Sequence, residues 1–292
     1  MTTSNSVSQK PARLRSVEMG SIRIVVDNKA ADGFVAEHGF ALWIKEDDRE
    51  ILFDTGNREA LLPNCRRLEL NFSSLTDLVL SHGHYDHTGG VDSVVSEAGP
   101  IQVYLHQAAM QPRYANGEDE ARSVRMPAAS MRSLWELPDD SIHWLTHPIN
   151  LVEHIGITGP ISRLTEYEDT GGAFYYDPWG TRPDPIEDDN ALWLRGPEGL
   201  VVCVGCSHAG IVNTLQTIKK ITGETRIRSV IGGLHLINAS AERLEKTTEA
   251  LNNFDLHQLV ACHCTGDESF AYLATHLRCE VVQGYAGFSM SI

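Results

Sequence analysis

A dense group of potential metal ligands directly follows an apolar run, and this feature constrains the fold more than any other. Residues 78–80 read Leu-Val-Leu, and the seven residues after them read Ser-His-Gly-His-Tyr-Asp-His. Imidazole and carboxylate groups are common protein ligands of zinc, manganese and iron. A lone histidine is more often a surface or core residue, whereas four such side chains at one strand end favour metal binding. The fold must therefore bring further ligands to this strand end from elsewhere in the chain.

The spacing within this group predicts two ion positions. His82 and His84 can share a face and reach one ion, while Asp86 and His87, on the following turn, can reach a second. Two ions roughly 3.5–4 Å apart can together hold a hydroxide and polarise a substrate oxygen. Gly83 permits a tight backbone path between the first two histidines.

Apolar runs alternate with helical patterns in two parts of the chain. Continuous Val, Ile and Leu runs are typical of strands that are covered on both faces. The predicted strands are residues 22–26, 40–44, 50–53, 77–80, 101–105, 191–194, 200–204, 229–231, 258–261 and 280–282. The predicted helices are residues 90–97, 211–221, 241–254 and 269–277. The pattern predicts an α/β fold made of two strand-and-helix halves.

A long stretch rich in proline and glycine joins the two halves, from about residue 106 to residue 189. A connection of this length is usually a functional cover or a binding element. We expect a single domain over residues 16–292 that carries this loop-rich insertion at 106–189. A flexible N-terminal tail is expected over residues 1–15.

The charge balance argues against several classes of partner. Lys and Arg number 24 against 39 for Asp and Glu, which gives a net charge of -15. Nucleic-acid binding requires a basic footprint, so no nucleic acid is expected. The sequence has no run of about 18 apolar residues, so no membrane partner is expected. The N-terminus lacks an apolar signal segment, so we expect a cytoplasmic protein that acts on a small molecule. A homo-oligomer is compatible with these features.

Three further histidines follow predicted strands, at positions where open α/β sheets gather their sites. His208 and His263 are the stronger candidates for metal ligands. His235 could either contact the substrate or have a structural role. Cys262 and Cys264 flank His263, but we do not expect both thiols to bind one ion.

The HxHxDH pattern at residues 82–87, the Asp-Thr-Gly sequence at residues 54–56 and the later histidines resemble the metallo-β-lactamase superfamily. The resemblance runs from about residue 22 to the end of the chain. It implies an αββα sandwich, with two mixed sheets flanked by helices and a dinuclear site along one edge. It also implies that Asp54 supports the metal ligands from behind through hydrogen bonds.

One branch of that superfamily is more closely similar, the 7,8-dihydropterin-6-yl-methyl-4-(β-D-ribofuranosyl)aminobenzene 5′-phosphate synthases. Six segments carry this resemblance: Ala-Glu-His-Gly at 36–39, residues 156–163, Asp-Asp-Asn-Ala-Leu at 188–192, Gly-Cys-Ser-His-Ala-Gly-Ile-Val-Asn at 205–213, Gly-Gly-Leu-His-Leu at 232–236 and His-Cys-Thr-Gly at 263–266. The branch implies an alternative activity, the condensation of a pterin with a phosphorylated aminobenzene riboside.

The chain departs from the superfamily pattern at one ligand position. Most dinuclear members have a bridging Asp where this chain has Gly205-Cys206. Cys206 is then a candidate thiolate ligand, His208 is a candidate substitute, or the second ion binds weakly. A further interpretation treats Cys206 as a small residue beside the site. Asp188 or Asp189 could also reach in from the insertion.

We therefore expect a dinuclear metal-dependent hydrolase with two divalent ions, zinc being favoured over manganese or iron. A hydroxide formed from metal-bound water would attack an ester, lactone, amide or phosphoester. Asp86 would bind an ion and orient the hydroxide, and His235 would donate a hydrogen bond to the oxyanion. A non-catalytic metal-binding sensor is the other alternative. Redox chemistry is disfavoured, because the diiron members similar to this chain carry Glu at the position of His84.

Substrate specificity is expected from the insertion. Its aromatic side chains could line a pocket for a planar ligand or anchor a small core of their own: Trp135, Trp144, Tyr167, Phe174, Tyr175, Tyr176 and Trp179. Its arginines could bind a phosphate or lie in solvent: Arg113, Arg122, Arg125, Arg132 and Arg163.

Overall fold

The structure, a computed structural model, describes residues 20–116 and 121–292. The predicted tail, residues 1–15, lies outside the described residues. Among the described residues, no helix has both the length and the apolar sequence that a membrane crossing requires.

The described residues of the first half, from residue 20 to residue 105, contain five strands and three α-helices. They are β1 Ser21–Val26, β2 Ala41–Glu46, β3 Arg49–Phe53, α1 Leu61–Arg67, β4 Asp77–Val79, α2 Tyr85–Thr88, α3 Val91–Glu97 and β5 Gln102–Leu105. The five strands predicted in this half are all present. The short helices α1 and α2 were not predicted, because neither is long enough to show a helical period of apolar residues.

The second half repeats the alternation of strand and helix. Its elements are β12 Ala191–Gly196, β13 Gly199–Val204, α5 Ile211–Thr222, β14 Arg226–Gly233, α6 Ala241–Leu251, β15 Asp255–Cys262, α7 Asp267–His276, β16 Glu280–Gln283 and β17 Ser289–Ser291. Strands β13 to β16 pair in parallel, so their carboxyl ends meet at one edge of the sheet. Strand β17 was not predicted and returns to pair with β1 in the other sheet.

The connecting stretch holds more regular structure than its composition indicates. Its elements are β6 Tyr114–Asn116, β7 Ala121–Ser123, α4 Ala128–Trp135, β8 Ile142–Trp144, β9 Ile149–Val152, β10 Ile155–Ile157 and β11 Phe174–Tyr175. Strand β8 extends the first large sheet, and β9 and β10 extend the second. The remaining strands β6, β7 and β11 form a small sheet of their own.

The two seven-stranded sheets pack face to face, with helices on the outer face of each. The first sheet has the order β17-β1-β2-β3-β4-β5-β8 and the second β16-β15-β14-β13-β12-β10-β9. Apolar side chains from both sheets fill the space between them, among them Ile24, Phe53, Val201 and Ile231. Separate apolar clusters lie between each sheet and its helices. The predicted αββα layering is therefore confirmed.

Candidate metal centre

The loop after β4 places its histidines through a close backbone approach. A Cβ on Gly83 would lie 2.2 Å from the carbonyl oxygen of Ala109, so only glycine fits there. The Gly83 amide donates a hydrogen bond of 2.7 Å to Asp188 Oδ2. These contacts hold His82 and His84 side by side, with His82 Nε2 3.0 Å from His84 Nδ1.

A first donor group consists of His82, His84 and His208. Their donor atoms lie within 4.8 Å of one another, and all three side chains are buried. His208 lies in the segment after β13, and its Nδ1–H donates a hydrogen bond of 2.7 Å to the carbonyl oxygen of Thr170. Its Nε2 is buried and has no hydrogen-bond partner. The first group is therefore built by both large sheets.

A second donor group lies beside the first and contains Asp86, His87, Cys206 and His263. His87 Nε2 lies 3.1 Å from Cys206 Sγ, and His263 Nε2 lies 3.3 Å from Asp86 Oδ2. His263 Nε2 is buried and forms no hydrogen bond. The structure thus brings all of the sequence-predicted metal ligands together in two adjoining groups.

Asp54 lies directly behind these groups. Its Oδ2 is 2.7 Å from His87 Nδ1 and accepts a hydrogen bond of 2.6 Å from Ser81 Oγ. Its Oδ1 accepts the Ser81 amide at 2.7 Å. A Cβ on Gly205 would lie 2.1 Å from Ser81 Oγ, so glycine is required for this arrangement. The supporting role expected for Asp54 agrees with these contacts.

The two donor groups differ in the pKa values of their side chains. Burial, together with neighbouring imidazoles, lowers the pKa values of His82 and His208 well below the usual value for histidine. Burial alone would also lower the pKa of His87, but Asp54 and Asp86 raise it to about 9. Burial would raise the pKa of Asp86, yet His87 and His263 hold it well below its usual range.

The donor set fits divalent metal ions. Neutral imidazoles packed against one another leave lone pairs without donors, which is costly in a buried site. A cation removes that cost, because each unpaired Nε2 becomes a ligand. Carboxylate and thiolate donors in the second group balance the charge of an ion there.

Asp188 and Asp189, the other candidates from the insertion, have different surroundings. Asp188 forms an ion pair through both oxygens with Arg113, which is fully buried and also lies 2.8 Å from Asp184. Asp189 Oδ2 accepts a hydrogen bond of 2.7 Å from the amide of Ala209, whereas Asp189 Oδ1 is buried without a hydrogen-bond partner. Cys206 Sγ lies 3.1 Å from His87 Nε2, within the second group.

His235 lies on the wall of the site. Its ring centroid is 4.3 Å from that of His208, and its Nδ1 is buried without a hydrogen-bond partner. A Cβ on Gly171 would lie 2.0 Å from His235 Cδ2, and Gly171 has φ +77°. Glycine at this position therefore lets the insertion pass directly against His235.

A cavity of about 410 Å³ opens above both donor groups. Of the seven aromatic residues named above, Phe174 lines it, whereas Trp135 and Trp179 are exposed on the surface. Of the five arginines named above, only Arg122 lines it, with Cζ 5.6 Å from the centroid of the Tyr85 ring. Arg113 is unavailable to a ligand because of its ion pairs.

Four contributors to the site were missed by the sequence analysis. His38 Nε2 lies 3.2 Å from Asp86 Oδ2, and this contact raises the pKa of His38. Asp27 Oδ1 accepts the His263 amide at 2.7 Å, and Asn28 Oδ1 lies 2.8 Å from His263 Nδ1. Cys264 lines the cavity. Asp27 and Asn28 follow a predicted strand, which is the signal that could have identified them.

Comparisons with known proteins identify the family of the chain. The sequence matches the metallo-β-lactamase superfamily over residues 35–216. It is 30% identical over 249 residues to the 7,8-dihydropterin-6-methyl-4-(β-D-ribofuranosyl)-aminobenzene-5′-phosphate synthase of Methanocaldococcus jannaschii, a match that covers 80% of this chain and 82% of the relative.

Two solved structures have similar folds. The crystal structure of Tm1679, described as a metal-dependent hydrolase of the β-lactamase superfamily, is 30% identical with a TM-score of 0.80, covering 94% of this chain and 99% of that one. Zn²⁺-bound PqqB from Methylobacterium extorquens is 11% identical with a TM-score of 0.55, covering 93% and 100%. The second likeness concerns the fold alone.

Proposed function

Because the chain belongs to the metallo-β-lactamase superfamily, we propose that it is a metal-dependent hydrolase of a small molecule, with an ester, lactone, amide or phosphoester as substrate. The observation that carries the proposal is the pair of adjoining donor groups, of which His84, Asp86, Cys206 and His263 line one open cavity. His82, His84 and His208 would hold one ion, and Asp86, His87, His263 and Cys206 the other. Zinc is favoured, with manganese or iron as alternatives.

Two divalent ions in these positions would supply Lewis acidity and a water molecule that is acidic near neutral pH. The chain's own residues would orient the reaction. Asp86 faces the cavity and is nearly buried, with Oδ2 3.2 Å from His38 Nε2. We assign Asp86 to binding an ion and to orienting the attacking water through its carboxylate.

His235 is the candidate hydrogen-bond donor to the oxyanion that develops during hydrolysis. It lines the cavity beside Phe174 and adjoins His208. A preorganised donor at such a position typically contributes a factor of about 100–1000 to the rate. Replacement of His235 is therefore expected to lower turnover more than metal content.

The synthase activity named for the Methanocaldococcus jannaschii relative is the second candidate. The 30% identity over most of both chains favours it, and Arg122 at the cavity could contact an anionic group. The same donor groups would then assist the departure of a leaving group. A non-catalytic metal sensor is the third candidate, and it would bind metal without turnover.

The proposal is tested by metal content and turnover measured on the same preparations. We would purify the wild type without chelator and measure metal per chain by mass spectrometry, together with His82→Ala, Asp86→Ala and His263→Ala. His257→Ala is the control, because His257 is exposed on β15 and forms an ion pair with Asp255 instead of entering the site. Each preparation would be assayed on a panel of esters, lactones, amides and phosphoesters, and on a pterin together with a phosphorylated aminobenzene riboside.

We expect about two ions in the wild type and in the control, and fewer ions and little turnover in the three site variants. Turnover only with a pterin and an aminobenzene riboside phosphate would favour the synthase. Stoichiometric metal with no turnover on any substrate would favour the sensor. Absence of stoichiometric metal, even after zinc, manganese and iron are supplied, would refute all three metal-dependent candidates.

A further inference from the structure

Two thiols meet at the floor of the cavity. Cys206 follows β13 and Cys264 follows β15, yet their sulfur atoms are 3.2 Å apart. Both side chains are buried against the protein and both line the cavity. The hydrolase proposed above uses Cys206 but gives no role to Cys264.

The end of β14, which lies between β13 and β15, leaves room for this contact. A Cβ on Gly233 would lie 2.5 Å from Cys264 Sγ and 2.7 Å from the carbonyl oxygen of Gly205. Any larger residue would therefore push Cys264 away from Cys206. The absence of a side chain at this position keeps the thiol at the site.

The neighbouring cysteines have different surroundings. Cys203 and Cys262 pack in the apolar space between the two sheets, and burial raises the pKa values of both thiols. Cys262 lies two residues before Cys264, but Cys264 belongs to the 3₁₀ turn His263–Thr265 that follows β15. That turn directs the two thiols to different places, as expected from the sequence, and only Cys264 enters the cavity.

The atoms around Cys264 are those of a metal site. Its Sγ, Cys206 Sγ and a ring nitrogen of His263 all lie within 4.8 Å of one another. Cys206 Sγ also lies 3.1 Å from His87 Nε2. Sulfur and imidazole donors at such distances are common ligands of zinc.

We propose that Cys264 is a thiolate ligand of the second ion, alongside Cys206. This inference rests on the proposed metal dependence of the protein. Each thiol would release one proton to solvent as the ion binds, so the ion is held by anionic sulfur where most superfamily members have a bridging carboxylate. Two soft donors would also favour zinc over manganese at that position.

Cobalt substitution gives a readout that does not depend on activity. Thiolates bound to Co²⁺ produce a near-ultraviolet sulfur-to-metal absorption, whereas imidazole and carboxylate do not. Metal-free protein would be titrated with Co²⁺ as wild type, Cys264→Ser, Cys206→Ser and the double variant. Cys262→Ala is the matched control, since it removes a neighbouring thiol that lies outside the cavity.

We expect Cys264→Ser to lose about half of the absorption of the second cobalt equivalent, because one of two thiolates is removed. The double variant should lose all of it, and Cys262→Ala none. An unchanged band in a folded Cys264→Ser protein would overturn the inference.

Alkylation of the wild type tests the same point without a variant. Zinc should protect Cys206 and Cys264 from iodoacetamide, as followed by mass spectrometry of peptides, while the half-buried Cys279 reacts equally with and without zinc. Equal labelling of Cys264 in both conditions would also overturn it. If both thiols give the cobalt absorption and the protection by zinc but the protein has no turnover, only the hydrolase proposal is refuted. If the protein has turnover but Cys264 gives neither result, only this inference is refuted.

Discussion

Four histidines of the candidate centre share one pattern of hydrogen bonding. In each, Nδ1 contacts a neighbouring oxygen, which leaves Nε2 directed toward the donor group. The pairs are His82 with Ser81 Oγ, His87 with Asp54, His208 with the Thr170 carbonyl and His263 with Asn28. Such contacts fix the ring orientation and raise the basicity of a metal ligand. The orientation and basicity of these histidine ligands therefore depend on oxygen atoms that would not themselves bind a metal ion.

Asp54 gives the clearest test at the residue scale. Asp54→Asn is expected to weaken metal affinity by about 10–100-fold, because the amide supports the His87 ring less well than the carboxylate does. Affinity would be measured by competition with a chromophoric chelator. Asp77→Asn is the control, since Asp77 is equally buried but pairs with Arg49 at the opposite end of β4. Equal affinities for wild type and Asp54→Asn would contradict the assigned role.

Asp189 predicts a pH dependence of stability. Burial raises the pKa of Asp189 from 3.8 to about 7, despite the hydrogen bond from the Ala209 amide. The folded state thus favours the protonated form, so this contribution to stability is present below about pH 4 and is lost as pH rises toward 7. Urea unfolding of the metal-free wild type and of Asp189→Asn, at pH values between about 4 and 7, would measure this contribution to the free energy of unfolding. The variant should lose less stability over the interval, and parallel curves would argue against the prediction.

At the scale of elements, the insertion stabilises the segment that contains His208. Glu168 accepts hydrogen bonds of 2.9 Å from the amides of Val212 and Asn213, which are in the first turn of α5. These amides have no partner within the helix, and an anion near them is favourable. Thr170, two residues after Glu168, contacts His208 through its carbonyl oxygen. One short segment of the insertion, residues 168–170, therefore both caps α5 and contacts the candidate metal ligand His208.

Removal of this cap should affect both stability and the centre. Glu168→Ala is expected to lower the free energy of unfolding by about 1–2 kcal/mol, as for the loss of a good N-cap. It should also weaken metal binding, because Thr170 would hold His208 less firmly. Chemical denaturation and metal titration would measure the two effects. Glu166→Ala, at a nearby exposed position, should change neither, and the proposal fails if the two variants behave alike.

At the scale of the whole molecule, the candidate centre joins the two large sheets. His82 and His84 come from the loop after β4 in the first sheet, while His208 and His263 follow strands of the second. An ion bound to both sets would link the two halves of the sandwich. Added positive charge would also reduce the local excess of acid in a chain of net charge -15.

Metal removal should therefore lower the thermal stability of the whole chain. An ion that binds only the folded state adds about 2.7 kcal/mol when its free concentration is 100 times the dissociation constant. Calorimetry of the chelated protein, before and after addition of zinc, would show the difference as a shift of the melting temperature. Magnesium is the control ion, because it binds poorly to imidazole and thiolate. The same melting temperature with and without zinc would contradict an ion that links the sheets.

Much of the fold and part of the centre could be predicted from the sequence. Continuous apolar runs predicted the main strands, because a strand that is buried on both faces has apolar side chains at successive positions. The cluster at residues 82–87 is local, so its ligands need only one loop to come together. His208 and His263 could be predicted because parallel strands of a sheet end at a common edge.

Only the tertiary structure decided which other side chains reach the centre. Cys264 enters the cavity, and Cys262 does not, because of a turn that starts at His263 with φ +48°. His235 has φ +46°, and no periodicity predicts such a left-handed residue. Arg113 was a candidate for the cavity but lies buried between Asp184 and Asp188. The sequence determined the strands and the local ligands, whereas loop conformation and long-range pairing of charges decided the rest.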